Sequence, residues 1–464
     1  MCPSKPAGPR VLFRTLGCRL NQAETDWMAE QSAALGLLPP GPDEEPDAVV
    51  INSCAVTRES TASSRQLVRQ EMRAHPEAVI VLTGCYPEAE PAESAALSGV
   101  EIVVVNESKE RIPFILAKRL GAHPLAWQGG IALRTRVGVR AQTGCDERCA
   151  FCIVPQTRGP LSSRLMEDVV AEVSRRAAAG TREVVLTGVH LGKYGVDRGR
   201  SDDLARLVEA VVEVPGLARV RLSSILPSQL SPALLSLLRR HPKVASHVHL
   251  PLQSGSEAVL ARMRRPYSAE EFARVAEQAT AVVGLGLTTD VMVGFPGESP
   301  EEHRESLAFV ERTGFSKLHV FRFSARPGTP AAAMAGQVTD RIKRARSREM
   351  IALGEELRAD FLKAQVGRRL DVMVERVLPE RAWGTSENFV RVEFSSPAGA
   401  VRVGDLVEVD VETAARDKLV GRPADIVAVD LQTAAGDKLV GCPADAVAVR
   451  PAHLGGYTDL ADTG

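Results

Sequence analysis

The hydrophobic pattern divides the chain into three stretches of different rhythm. Over residues 11–105, strand-like apolar runs, VLFRTLGC (11–18), AVVINSCAV (48–56), AVIVLTGC (78–85) and EIVVV (101–105), alternate with helix-length stretches at 23–35 and 59–74. That alternation predicts an open parallel α/β sheet. From 131 to about 330 the beat lengthens. Strands are expected at 136–143, 183–191, 219–225, 247–254, 287–294 and 317–323, and helices at 165–179, 202–213, 231–240, 256–263, 268–282 and 300–312. Six β/α units predict a complete or partial barrel, whose chemistry sits at the strand C-termini. One more helix is expected at 339–365. After Gly367 the period falls to two in DVMVERV (371–377), FVRVEF (389–394) and LVEVDV (406–411), which predicts a small all-β barrel.

The expected division is therefore an N-terminal α/β domain over 8–122, a β/α barrel domain over 131–365 and a β module over 366–430, with a Pro- and Gly-containing linker at 122–130. The remaining 431–464 forms a tail. Its start, LQTAAGDKLVGCPADAVAVR (431–450), nearly copies VETAARDKLVGRPADIVAVD (411–430). Two copies fall short of the about three that a solenoid needs, so the segment reads as a tandem duplication of the last strand region.

Composition narrows the classes. A 464-residue chain that is 44% hydrophobic and 25% charged is not disordered over most of its length. With 57 basic and 58 acidic residues its net charge is −1, so any grip on nucleic acid must be a local patch. No apolar run reaches about 18 residues and MCPSKPAGPR has no apolar h-region, so neither a membrane span nor a secretory signal is expected. A cytoplasmic, reducing location follows, in which the eight cysteines are thiols or metal ligands rather than disulfides.

Cys145, Cys149 and Cys152 form CDERCAFC on the loop after the first barrel strand. Three close thiolates can hold one face of a metal cluster, leaving one iron of a four-iron cubane open; a structural zinc would need a fourth ligand from elsewhere. Cys18, Cys54 and Cys85 look scattered, yet each falls at or near the C-terminal end of an expected parallel strand. Strand C-termini of an open α/β sheet share one edge, where ligands bind, so these three can converge as a second cluster site. Cys2 and Cys442 receive no role; Cys442 replaces Arg422 of the first repeat copy.

A CxxxCxxC loop opening a β/α barrel, with Phe151 before the third Cys, resembles the radical S-adenosylmethionine (SAM) superfamily. The whole chain resembles the methylthiotransferases within it. The shared motifs read LGCRLNQAE (16–24), INSCAVT (51–57), TGCYPE (83–88), GCDERCAFCIVP (144–155), RGPLSSR (158–164), LTGVHLG (186–192), LQSG (252–255) and DVMVGFPGE (290–298). SENFVRV (386–392) and GDLVEV (404–409) resemble the C-terminal RNA-binding TRAM module. The resemblance implies two [4Fe-4S] clusters, one on Cys145, Cys149 and Cys152 that cleaves SAM to a 5′-deoxyadenosyl radical, and one on Cys18, Cys54 and Cys85 that carries the sulfur. It implies a tRNA substrate and an electron donor such as flavodoxin or ferredoxin. For SAM it implies Thr187 and Gly188 after the second barrel strand, the glycines of GFPGE (294–298), and Ser224, Gln253 and Asp290 near strand ends.

Within the family, SCAVTRESTASSRQLVRQ (53–70), RLSSILPSQL (221–230) and KLHVFRFSARPGTPAA (317–332) look most like enzymes that act on threonylcarbamoyladenosine at position 37 of tRNA. Isopentenyladenosine in tRNA and an aspartate of a ribosomal protein are the alternatives. A non-enzymatic iron–sulfur protein that binds RNA or senses redox state, or a zinc-binding RNA module, is a reading from another class. Gln156, where the family often has an aromatic, and Ser53, where it often has Thr, depart from the pattern. Arg14, Arg19, Arg65 and Arg69 are candidate partners for a polar modification. Arg341, Lys343, Arg344, Arg346 and Arg348 are candidates for a phosphate-facing stripe, and Phe389 and Trp383 for stacking on bases. Residues 366–410 hold six basic and eight acidic side chains, so the β module has no strong positive field of its own.

Overall fold

The structure is a computed structural model that describes residues 8–124 and 135–424. The expected linker beyond residue 124, the tail at 431–464 with its repeat copy, Cys2 and Cys442 lie outside the described residues.

The N-terminal unit is a parallel sheet of β1 (Val11–Thr15), β2 (Ala48–Ser53), β3 (Val79–Gly84) and β4 (Ile102–Val104), in that order. Every residue of β2 is buried, as expected of a central strand covered on both faces. Helix α1 (Arg19–Ala34) contributes Met28 to one apolar layer with Val50 and Val81, and α2 (Arg58–Ala74) contributes Val68 to the other with Val49 and Ile51. Thr57 caps α2 by accepting from the Ser60 amide at 3.0 Å.

Six parallel strands follow as two three-stranded sheets. The first is β5 (Arg136–Arg140), β6 (Glu183–Thr187) and β7 (Arg219–Leu222); the second is β8 (His247–His249), β9 (Gly286–Val293) and β10 (Lys317–Arg322). A bridge between Val220 and Val244 joins them. Alternation along the strands separates two faces. Val184, Leu186, Val220, Val248, Leu287 and Val291 pack outward with Val173, Leu207, Leu235 and Phe272 of the surrounding helices. His247, His249, Thr288 and Asp290 share the opposite, inward face, with His319 of β10 paired beside Asp290. Helix α1 lies against β5 so closely that a Cβ at Gly138 would sit 2.8 Å from the Ala23 Cβ.

The C-terminal unit is a closed five-stranded barrel of β11 (Arg369–Leu378), β12 (Arg381–Ser386), β13 (Arg391–Ser395), β14 (Leu406–Ala415) and β15 (Lys418–Pro423). It docks under the strand N-termini of the larger barrel. Arg219 donates to the Asp371 carbonyl at 2.8 Å, and Arg221 to the Glu387 and Ser386 carbonyls at 3.0 Å. Both arginines also pair with buried Glu183. Burial would raise that carboxyl, but Arg221, Arg136 and Arg219 outweigh it and hold it below its usual range.

Two sequence expectations change here. Phe389 is not presented for base stacking: its ring sits 4.7 Å from that of His247, with Arg19, Arg136 and Arg221 guanidiniums 5.0–5.3 Å from its centroid. Trp383 lies half-buried under Arg391 at 4.4 Å. The basic run on the helix Asp340–Lys363 also divides. Arg346 is buried against Glu298 at 2.6 Å and Lys343 donates to the Phe323 carbonyl at 3.0 Å, which leaves Arg341, Arg344 and Arg348 as the exposed members.

Candidate active site

The edge of the N-terminal sheet gathers three thiols. Cys18 is the N-cap of α1 just past β1, Cys54 follows β2, and Cys85 begins the short helix α3 (Cys85–Ala89) directly after β3. The register, Asn52 beside Thr15 and Thr83, brings these strand ends level. Two glycines with positive φ let the loops close. A Cβ at Gly17 would lie 2.7 Å from Cys54 Sγ, and one at Gly84 would lie 2.3 Å from the Ser53 carbonyl. The thiols are near enough to influence one another. Burial pushes Cys54 up to about 12, with Cys18 and Cys85 adding to it. Cys18 is the exposed member of the set, yet the protein packed around it still raises its thiol, with Arg158 opposing and Cys85 adding.

A buried polar cluster backs this edge. Glu24 of α1 takes Lys109 Nζ at 2.6 Å on one oxygen and Arg158 on the other. Arg158 also donates to Asn21 and, through Nε, to Cys85 Sγ at 3.4 Å. Lys109 reaches Asn52 at 3.1 Å, and Asn52 donates back to the Asn21 carbonyl and Thr25. Burial would raise Glu24, but Arg158 and Lys109 together hold it down to about 2.

The second set sits past β5. A Cβ at Gly144, where φ is +74°, would fall 1.7 Å from the Pro160 carbonyl, so only glycine lets the loop turn before Cys145. Cys152 accepts from the Val154 amide at 3.4 Å, and Cys149 accepts from Arg265 Nη1 at 3.1 Å. Burial raises Cys145 and pushes Cys152 up to about 12, with the Cys149 thiol adding in both cases. His190 stands beside them with Nδ1 3.6 Å from Cys145 Sγ. Gln229 Nε2 faces its Nε2, so the ring proton is on Nδ1, toward the sulfur. Burial, with Lys193 adding, lowers His190 to about 4, so the ring is neutral.

Of the residues expected to hold SAM, Thr187 ends β6 and Ser224 lies just past β7; the Gly188 amide faces Ser223 Oγ at 3.4 Å. Gln253 and Asp290 meet through the Gln253 amide on the Asp290 carbonyl at 2.8 Å. The Asp290 carboxylate pairs with His249 at 3.2 Å. Gln253 holds a left-handed φ of +69°, and its Oε1 is buried without a partner among the described residues, as is Nη2 of Arg265. Of the arginines singled out from sequence, Arg14 pairs with Glu71 and Arg65 with Glu93, both at 2.8 Å; Arg69 lies on α2, and Arg19 turns toward Phe389. Sequence reasoning missed Glu24, Lys109, Arg158, His190 and Arg265. Glu24, Arg158 and His190 lie inside the quoted motifs, while Lys109 and Arg265 carry no local signal.

The Radical SAM superfamily matches residues 139–310 and the Uncharacterized protein family UPF0004 matches residues 10–105. The threonylcarbamoyladenosine tRNA methylthiotransferase MtaB of Bacillus subtilis is 36% identical over 422 residues, 86% of this chain and 93% of the relative. Its Thermotoga maritima counterpart is 33% identical over 88% of this chain and 96% of the relative. The tRNA-2-methylthio-N(6)-dimethylallyladenosine synthase of Anaeromyxobacter dehalogenans is 34% identical over 90% and 95%. The radical SAM methyltransferase TsrM of Kitasatospora setae shares the fold at a TM-score of 0.51 and 16% identity, over 70% of this chain and 75% of that one. Relatives this similar, aligned over nearly their whole length, show that the chain belongs to the radical SAM tRNA methylthiotransferases.

Proposed function

We propose that the protein converts threonylcarbamoyladenosine at position 37 of tRNA to its 2-methylthio derivative. Two [4Fe-4S] clusters, on Cys145, Cys149 and Cys152 and on Cys18, Cys54 and Cys85, serve it together with SAM. The residues fit those groups. Thiols that burial keeps neutral ionise when a metal takes the proton's place. Each set offers one sulfur an arginine N–H, Arg265 at Cys149 and Arg158 at Cys85, and such bonds stabilise thiolate charge. Among the described residues, the set of ligand atoms drawn within 4.8 Å of one another is Cys145, Asp146 and His190, not either cysteine triad. Asp146 is held there by Lys193 at 2.6 Å.

When bound, these groups supply one-electron cleavage of SAM at the barrel site and sulfur for transfer at the other. The chain's own residues bind and orient. The unpaired Arg265 Nη2 and Gln253 Oε1 are a donor and an acceptor for the carboxylate and amino group of SAM. Neutral His190 directs its N–H at Cys145 Sγ. An electron donor of the flavodoxin or ferredoxin kind and a cytoplasmic location belong to the same reading. Among the described residues no helix is long and apolar enough to cross a membrane.

The observation that carries the substrate reading is the polar inward face of the barrel. His249, Thr288, Asp290 and His319 lie there, a lining suited to a group with a carboxylate and a urea and poorly suited to an isopentenyl chain. Nucleoside mass spectrometry on tRNA from a deletion strain and its complemented parent tests it. 2-Methylthio-threonylcarbamoyladenosine should vanish on deletion and return on complementation. Its persistence, with loss of the isopentenyl derivative or of ribosomal-protein modification instead, would refute the substrate.

A further inference from the structure

Arg158 belongs to neither cysteine set, yet it ties the two together. It is the last residue of α4 (Val154–Arg158), which follows Cys152 directly and whose Val154 amide donates to Cys152 Sγ. Its side chain, 3% exposed, crosses to the other unit and donates to Cys85 Sγ, Asn21 and Glu24. The Asn106 side chain pins the same helix from the N-terminal unit, donating to the Thr157 carbonyl at 2.7 Å. The local charges do not cancel. Lys109, Arg158 and, at 4.0 Å, Arg140 share the Glu24 carboxylate, and Arg140 also pairs with Glu110, so among the described residues of this cluster three cations face two carboxylates beside the thiols of the N-terminal edge.

We propose that Arg158, supplied by the barrel loop, sets the charge of the Cys18–Cys54–Cys85 site and raises the reduction potential of the cluster held there. This rests on the cluster reading given above. Reduction makes a cluster more negative, and a fixed cation at hydrogen-bond distance from a ligand sulfur favours that state. Arg158 is a positioning residue in this account; it makes no contact with the substrate's reacting atoms.

The test uses full-length wild type, Arg158→Gln and Arg158→Lys, reconstituted anaerobically. Iron content is measured, and both clusters are titrated by EPR, the barrel cluster being recognised by its spectral response to SAM. The proposal expects about eight irons in all three proteins. It expects a lower potential for the N-terminal couple in Arg158→Gln, a partial return in Arg158→Lys, and an unmoved barrel couple with SAM cleavage retained. Full iron with an unmoved N-terminal couple in Arg158→Gln would overturn it. Loss of the N-terminal irons from both variants would also overturn it, making Arg158 a structural anchor. A wild type holding about four irons would overturn the cluster reading itself, and this proposal with it.

Discussion

Replacing Glu24 by glutamine removes one charge from a buried group of three while leaving its shape. Glu24 is 5% exposed and touches Lys109 and Arg158, so Glu24→Gln leaves two buried cations with no counter-charge. The fall of its carboxyl from 4.5 to about 2 corresponds to about 3 kcal/mol, at ~1.36 kcal/mol for each tenfold change. Breaking a buried pair from one side costs about 3–5 kcal/mol by other measures, so the two routes agree. The folded-state value lies below the unfolded one. The stabilisation is therefore complete above pH ~4.5 and is lost as the pH falls through about 2. The assay is urea denaturation of the metal-free protein from pH 7 to pH 3, wild type against Glu24→Gln, followed by circular dichroism. The variant should lose about 3 kcal/mol at pH 7, and the gap should narrow below pH ~4.5. A gap under ~0.5 kcal/mol at pH 7, or one that does not change with acid, would refute the reasoning.

Three further outcomes follow from particular contacts. Gly144→Ala meets the Pro160 carbonyl at 1.7 Å and should cost the protein its barrel irons and 5′-deoxyadenosine formation. Gly121→Ala, at φ +63° with nothing among the described residues within 4 Å, should cost only ~1–2 kcal/mol and keep both, as iron assays and chromatography would report. Gln253→Ala removes the unpaired Oε1 and should raise KM for SAM about tenfold with little change in kcat for SAM cleavage, measured under single-substrate kinetics. Arg221→Met uncaps the Glu387 and Ser386 carbonyls and strips Glu183 of a partner. Hydrogen exchange at residues 384–390 should speed markedly relative to the N-terminal sheet.

The architecture was legible wherever one face is apolar and the other polar. The helix expected at 300–312 is found at Pro300–Thr313, held by a Ser299–Glu302 capping box, and the strand expected at 287–294 at Gly286–Val293. Strands β12 and β15 went unseen because their inward positions include Ala382, Gly384 and Gly421, which bury little apolar surface and give no alternating signal. The thiols of the N-terminal edge were legible only through the expected strands, since nothing in their spacing relates them. Arg158 was not legible as a buried cation. Its partner Glu24 lies 134 residues away, and an arginine's burial is decided by tertiary packing, which sequence periodicity does not report. The same holds for Arg346, counted with a surface run but buried on Glu298, and for Phe389, whose surroundings come from two other units.

The central claim is that the two cysteine sets have separate duties in one reaction, and Cys18→Ala tests it most directly. The variant is reconstituted and supplied with SAM, dithionite and tRNA bearing threonylcarbamoyladenosine, and both 5′-deoxyadenosine and the methylthio nucleoside are quantified by mass spectrometry. The account predicts continued 5′-deoxyadenosine formation, no methylthio nucleoside and about four remaining irons, while Cys145→Ala loses both products. A Cys18→Ala protein that keeps its barrel cluster but no longer cleaves SAM, or one that still installs the methylthio group, would contradict it.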